Sequence, residues 1–379
     1  MMSSSSGVRL RELCGPLAMV SAALAAAVLT GCPHAPGNDE IVITITDENG
    51  PQGPQAGTPD EIATAACSEG ELNWYTSVPE TQATAFAEMF EQVCPFVKVR
   101  ITRESTFDII NRVEDEIKSG RTRADVMHVL DPAIYIALRK RGELYRYEPT
   151  ESKAIAPEYK DPGYWTGARL VTVCLAYNTK TLSPEEVPKT WRDLLDKKWA
   201  HKIAMKDAQT GGSAYAQYHF LREKYGIAYW EQLAAQHPVM YKSEDRILQA
   251  LLRNEVLIGG GVLGYKTYQY ERVMKEPIRA VWPEDGVPVC LGPVAILRTC
   301  PHPNASKLFV EYMLSEDGQA ALSELLGSYS TRSDVRPPEG WVSLSELNLL
   351  RAEDGWEDYL NKQGALRAEY GRLFNPESE

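Results

Sequence analysis

From Leu72 onward, strand-like and helix-like segments alternate without interruption, and this order restricts the fold more than any bulk property of the chain. Leu72-Asn73-Trp74-Tyr75-Thr76-Ser77 reads as a strand tipped by two hydroxyls. Pro79 and Glu80 then open a helix whose Ala83, Phe86, Phe90 and Val93 share a face, as expected where a proline sits in the first turn. A strand over 97–101, a helix with Ile109, Ile110, Val113 and Ile117 inward, a strand over 124–129 and a helix from Pro132 follow. Such alternation predicts an α/β architecture with a mostly parallel sheet covered on both faces. Ligands of such sheets bind beyond the carboxyl ends of the strands, where Thr76, Ser77, His128 and Asp131 would gather.

The pattern changes at Trp165. The run 166–178 is one long β-rich stretch, suited to crossing from one lobe to another, and 287–297 is a second that would bring the chain back. Roughly 310 residues follow position 70, above the size at which a single core stops growing, so two lobes are expected. The predicted organisation is a first lobe from 70–168, a second from 169–286, a return to the first over 287–340 and a helical extension over 341–379. Two crossings make a clamshell with its cleft between the lobes.

Within the second lobe, Lys206-Asp207-Ala208-Gln209-Thr210-Gly211-Gly212-Ser213 leaves a short strand and opens a helix with Ala214, Tyr218, Leu221 and Tyr225 on one face. A helix N-terminus with free N–H groups and the positive end of its dipole is a natural anion socket. Thr210, Gly211, Gly212 and Ser213 are therefore candidate ligand residues, although a capped helix after a strand is also ordinary in α/β proteins. Ser243 could reach the cleft or simply cap the helix behind it. Tyr265 follows a glycine-rich strand end and could bind ligand or stiffen a helix. His128 could line the cleft or face solvent, and Arg169 could meet an anion there or pair with a surface carboxylate. Gly259-Gly260-Gly261 lacks the Lys-Ser/Thr of a P-loop and reads as a close-packed strand end.

The beginning of the chain reads as an export signal. Arg9 and Arg11 precede an apolar run over 16–29 that is too short to span a membrane, and Leu29-Thr30-Gly31-Cys32 closes it. This resembles a bacterial lipoprotein signal, with cleavage after residue 31 and lipid on Cys32 as a membrane tether on the periplasmic side. Residues 32–69 read as a flexible tether rich in Pro, Gly, Asn and Gln, interrupted by the β-prone 41–46. A net charge of -12 argues against a nucleic-acid partner and for a monomer-like surface. Beyond Cys14 and Cys32 there are five cysteines, Cys67, Cys94, Cys174, Cys290 and Cys300, of which Cys67 and Cys94 are placed best to pair. No motif spacing suggests a structural metal, a cofactor, a nucleophile elbow or a dinucleotide fold, so a two-lobed enzyme is the weaker class.

Trp74-Tyr75-Thr76-Ser77, Ala124-Asp125-Val126, Gly163-Tyr164-Trp165-Thr166-Gly167, Ala176-Tyr177-Asn178, Lys202-Ile203-Ala204-Met205, Leu314-Ser315-Glu316-Asp317-Gly318-Gln319-Ala320 and Arg332-Ser333-Asp334-Val335 occur in an order that resembles the ferric-type branch of the extracellular solute-binding proteins of ABC importers. The resemblance runs from about residue 71 to about 340. It implies the type II periplasmic-binding-protein fold, a ligand closed between lobes, a membrane permease as partner and no catalysis. Ferric members use a His after the first strand, a Glu past Ala-Asp-Val and two adjacent tyrosines. Here those positions hold Val78 or Pro79, Leu130 with Asp131 beside it, and Gly264-Tyr265. The resemblance therefore implies a small anionic ligand such as a phosphonate or sugar phosphate ahead of ferric iron, for which Tyr265 and Asp131 would be the remaining ligands. A sensor lipoprotein that presents its ligand elsewhere is a further alternative.

Overall fold

The computed structural model describes residues 59–208, 212–352 and 355–374. The signal segment, Cys32, the 41–46 run, Thr210 and Gly211 lie outside the described residues. The elements in chain order are α1 (Pro59–Glu69), β1 (Glu71–Thr76), α2 (Glu80–Val93), β2 (Lys98–Arg103), α3 (Thr106–Ser119), β3 (Val126–His128), α4 (Pro132–Lys140), β4 (Lys160–Asp161) and β5 (Trp165–Asn178). Then come β6 (Ile203–Lys206), α5 (Gly212–Tyr225), α6 (Ile227–Ala234), β7 (Val239–Tyr241), α7 (Glu244–Leu252), β8 (Ile258–Leu263), α8 (Gly264–Tyr268) and β9 (Ile278–Val281). The chain ends with β10 (Val287–Ile296), α9 (Pro303–Leu314), α10 (Glu316–Leu326), β11 (Leu349–Leu350) and α11 (Gly355–Phe374).

The main path of the sheet runs β2-β1-β3-β10-β5-β8-β6-β7. Each lobe keeps parallel pairs at its outer strands, β1 with β2 and β3, and β6 with β7 and β8. The centre is antiparallel, because β5 and β10 run against each other and against β8 and β3 respectively. The sheet is thus mixed rather than mostly parallel. Strands that carry the chain out and back must run in opposite senses, which the alternation pattern alone does not reveal.

Two apolar clusters flank the first-lobe strands and two flank the second. Trp74, Phe86, Phe90 and Phe309 form the aromatic centre of one, with ring centroids 5.1 to 5.9 Å apart. Each such pair adds about 0.5–1.5 kcal/mol beyond its area burial. Leu130 and Ala133 of the first lobe share a cluster with Trp191, Tyr215 and Trp230 of the second, so the cores touch across the cleft.

Two expectations are corrected. The tether does not extend to residue 69. Ile62, Ala63 and Ala66 form a small buried stripe on α1, and the Glu69 carboxylate caps α9 by accepting from the N–H groups of Asn304 at 3.0 Å and Ala305 at 2.7 Å. Cys67 and Cys94 are not joined, and the five cysteines from Cys67 to Cys300 are all thiols. The chain also crosses a third time. α11 lies along α4 of the first lobe and along α5 and α6 of the second, with Tyr359 and Tyr370 buried in the second-lobe core. Among the described residues no helix is long and apolar enough to cross a membrane.

Candidate functional site

The site is built on the two crossing strands. All fourteen residues of β5 are buried, and Arg169 is the single charged side chain among them. Opposite Arg169 the β10 register shifts between Gly292 and Pro293. The guanidinium stem lies over Gly292, where a Cβ would stand 3.0 Å from Arg169 Cγ and 3.1 Å from Leu130 Cδ2. A side chain at 292 would make Arg169 and Leu130 give way by a few tenths of an ångström. Tyr135 braces the irregularity, its hydroxyl donating to the Pro293 carbonyl at 2.7 Å and accepting from the Val129 N–H at 2.9 Å.

Arg169 is 1% exposed, and Nε, Nη1 and Nη2 have no hydrogen-bond partner among the described residues. Burial pushes its pKa down to about 10, against the opposing pull of Tyr265, Tyr135 and Cys290. His128 is fully buried beside it, stacked on Trp74 with centroids 6.1 Å apart and planes 10° from parallel. Neither ring nitrogen has a partner among the described residues, and burial followed by the Arg169 charge holds the imidazole well below its ordinary pKa. The Ser77 hydroxyl is buried and also has no partner among the described residues. Tyr265 faces the same charge from the second lobe, its phenol raised by burial and then by Glu244. These groups include a cation, several hydrogen-bond donors and no carboxylate, a composition that suits an anion.

In the described part of the expected α5 socket, Ser213 already has an internal partner. Glu244 at the start of α7 places Oε1 2.7 Å from Lys206 Nζ and 3.0 Å from Ser213 Oγ, and Lys206 also donates to Ser213 at 3.2 Å. Burial works against the Glu244 carboxylate, but Lys206 and Ser213 hold its pKa below the usual range. Ser213 therefore serves an internal carboxylate, a correction to its expected ligand role. Gly212 meets the other lobe directly, since a Cβ there would lie 2.3 Å from the Leu130 carbonyl oxygen.

The remaining expected residues are also engaged internally. Thr76 Oγ1 donates to the His128 carbonyl at 2.9 Å and accepts from the Val78 N–H at 3.1 Å, which fixes the strand end. Asp131 caps α4 through the Ala133 N–H at 2.9 Å and accepts from Gln363 of α11 at 2.9 Å. Burial raises its pKa to about 6. Ser243 accepts from the Arg246 N–H at 3.4 Å, as a helix cap does. Of the expected set, the Ser77 hydroxyl has no hydrogen-bond partner among the described residues and Tyr265 lies within electrostatic reach of Arg169, whereas Thr76, Asp131, Ser213 and Ser243 have protein partners. Sequence reasoning left Arg169 between two readings. Its signal was a lone charge inside an otherwise uncharged β-rich run.

Of the expected ferric pair, Asp131 has a hydrogen bond to each oxygen and the buried Tyr265 phenol is raised above its ordinary pKa, so neither is a bare anion here. His219, Glu223 and Asp358 bring ligand atoms within 4.8 Å of one another. Lys362 already supplies the positive charge there, its ammonium 2.8 Å from Glu223 and 2.5 Å from Asp358.

The model of the bacterial extracellular solute-binding protein family matches residues 132–341. The "Putative 2-aminoethylphosphonate-binding periplasmic protein" of Salmonella typhimurium is 26% identical over 198 residues, 48% of this chain and 57% of that protein. Iron-bound HitA from Pseudomonas aeruginosa superposes with a TM-score of 0.70 at 23% identity, covering 79% of this chain and 99% of HitA. The periplasmic binding protein AfuA from Actinobacillus pleuropneumoniae, with exogenous fructose-6-phosphate bound, gives a TM-score of 0.71 at 23% identity over 80% of this chain and 98% of AfuA. With its two lobes, crossing strands and more than half its length matched, the chain belongs to the bacterial extracellular solute-binding proteins.

Proposed function

We propose that this protein captures a small organic anion of the phosphonate or sugar-phosphate class between its lobes and delivers it to an ABC permease, without catalysis. Lipid on Cys32 would tether it as a monomer on the periplasmic side of the membrane. The observation that carries the ligand class is Arg169, a buried guanidinium with no counter-ion or acceptor among the described residues. Isolated burial of such a charge costs several kcal/mol, and a ligand anion offsets that cost on arrival. The names of the Salmonella relative and of the AfuA complex support the same class, whereas iron-bound HitA supports the ferric alternative. The engaged Asp131 and the single tyrosine favour the organic anion.

A thermal-shift panel tests the reading. A ligand at a hundred times its dissociation constant adds about 2.7 kcal/mol, and each kcal/mol raises the midpoint of a chain of this size by roughly 2 °C. Phosphonates and sugar phosphates should shift the midpoint by about 5 °C, and ferric citrate should leave it in place. A coloured ferric complex with a tyrosinate charge-transfer band would reverse the assignment.

A further inference from the structure

We propose that α11 is a strap that travels with the second lobe and docks on the first when the clamshell shuts, so that release of cargo requires its first-lobe face to let go. The inference rests on the reading above that ligand is held between two lobes, and it assigns the element that resists their opening. The strap starts near the crossing strands, where Leu349 and Leu350 of β11 pair with Val287 and Pro288 of β10. From there α11 bridges the molecule, against α4 on one side and α5 and α6 on the other. It turns a different face to each lobe. Trp356, Gln363 and Arg367, at intervals of seven and four residues, meet the first lobe, and Tyr359, Lys362, Leu366 and Tyr370, at intervals of three, four and four, meet the second.

The two faces differ in kind. On the second-lobe side Tyr359 and Tyr370 are buried in the core, and Tyr370 packs edge-on against Tyr218 with centroids 5.0 Å apart while its hydroxyl donates to the Lys206 carbonyl at 2.9 Å. Glu369 beside it accepts from the Tyr218 hydroxyl at 2.6 Å and from Arg222 at 2.8 Å. On the first-lobe side no α11 side chain is fully buried. Its contacts are an exposed ion pair of Glu357 with Lys140, the Trp356 indole N–H on the Glu158 carbonyl at 3.0 Å, and the Arg367 guanidinium 4.3 Å over the Phe107 ring. Buried aromatic rings hold a helix more firmly than exposed polar contacts, so opening parts α11 from the first lobe. The exception on that face is Gln363, whose Nε2 donates to Asp131 Oδ2 at 2.9 Å. Asp131 is fully buried and follows Leu130, whose carbonyl oxygen stands against Gly212 of the second lobe, so this bond lies where the lobes meet. With the lobes apart, water can replace Gln363 on the carboxylate. With the lobes together, loss of the amide leaves a buried oxygen short of a donor, and this penalty falls on the shut state alone.

Two variants of the full chain, studied without ligand, bracket the strap. Gln363→Ala with Arg367→Ala strips its first-lobe face. Lys140→Cys with Glu357→Cys, joined by a short bis-maleimide and checked by peptide mass spectrometry, fastens that face to the first lobe. Whichever state the parent prefers, solution scattering should give the stripped protein a larger radius of gyration than the linked one, as hinge opening does. Hydrogen exchange should leave the α11 amides of the stripped protein as protected as in the parent, because the helix stays on the second lobe. Equal radii would show that α11 restrains nothing, and loss of α11 protection in the stripped protein would show that the helix depends on the first lobe; either result overturns the proposal. With methylphosphonate as probe, release should be about tenfold faster from the stripped protein than from the parent, the scale of one lost hydrogen bond to a carboxylate. Failure of methylphosphonate to bind the parent would count against the proposed ligand class alone, because the scattering and exchange results are obtained without it.

Discussion

Lys206 and Arg169 are both cations at the cleft, the first partly and the second fully buried, and they differ above all in their partners. Lys206 sits against Glu244 and Ser213, at 2.7 and 3.2 Å, in a closed internal network at the start of α5. Arg169, a few residues into the crossing strand, has no acceptor among the described residues. The first cation has its counter-ion built in, and the second lacks one. A helix N-terminus flanked by lysine and serine has the chemistry of an anion socket, yet here the protein's own carboxylate already engages that lysine and serine. The proposed function places the ligand at the charge left without a partner.

The largest effect should come from Arg169→Met. Several charge-assisted hydrogen bonds of about 1.5–3 kcal/mol each disappear, so affinity for the anion should fall by about a thousandfold in a titration. The empty protein should melt at the same temperature or higher, because an apolar stem replaces an uncompensated buried charge. Equal losses of affinity and stability would make Arg169 structural and erase the contrast with Lys206.

Glu244→Gln probes the other side. Removing one partner of a buried pair leaves Lys206 uncompensated and should cost about 3 kcal/mol in chemical denaturation. A loss well under 1 kcal/mol would show that the pair is solvated in practice. The variant should also acquire weak sulfate affinity at the α5 terminus, since the socket would then be open.

The smallest effect concerns Asp131. Its carboxyl binds a proton more tightly folded, at about 6, than at its ordinary 3.8. Between about pH 4 and 6 the folded chain therefore holds more proton than the unfolded chain, and this group's contribution to stability falls as pH rises through that window. Asp131→Asn keeps the cap to Ala133 and can pair with a flipped Gln363. It should raise stability by about 1–2 kcal/mol at pH 7 and have little effect below pH 4. A destabilised variant at pH 7 would mean that the charge of Asp131 is required, by Arg367 or by the α4 dipole.

Much of the fold was legible because periodicity acts locally. The faces of α2 and α3, the long run of β5 and the paired helices α9 and α10 all follow from side-chain spacing. The end of the tether was not legible, since Ile62, Ala63 and Ala66 make a stripe too small to stand out against prolines and glycines. The site was legible only as a neighbourhood. Ser77, His128, Arg169 and Tyr265 are recognisable by type, but which hydroxyl or charge remains unpaired depends on partners far along the chain. Glu244 lies 31 residues from Ser213, and Gln363 lies 232 residues from Asp131. The glycine at 261 shows the same limit. Its φ of 132° and the Gln217 side chain packed against it come from the assembled lobe and not from the three-glycine run.

The most direct measurement of the central claim is a crystal structure of the protein with a bound phosphonate, in which the phosphorus can be located. The account predicts phosphonate oxygens within hydrogen-bonding distance of the Arg169 guanidinium, close to His128 and Ser77, with Glu244 still against Lys206. A phosphonate at the α5 N-terminus with Glu244 displaced, and Arg169 left without contact, would contradict it.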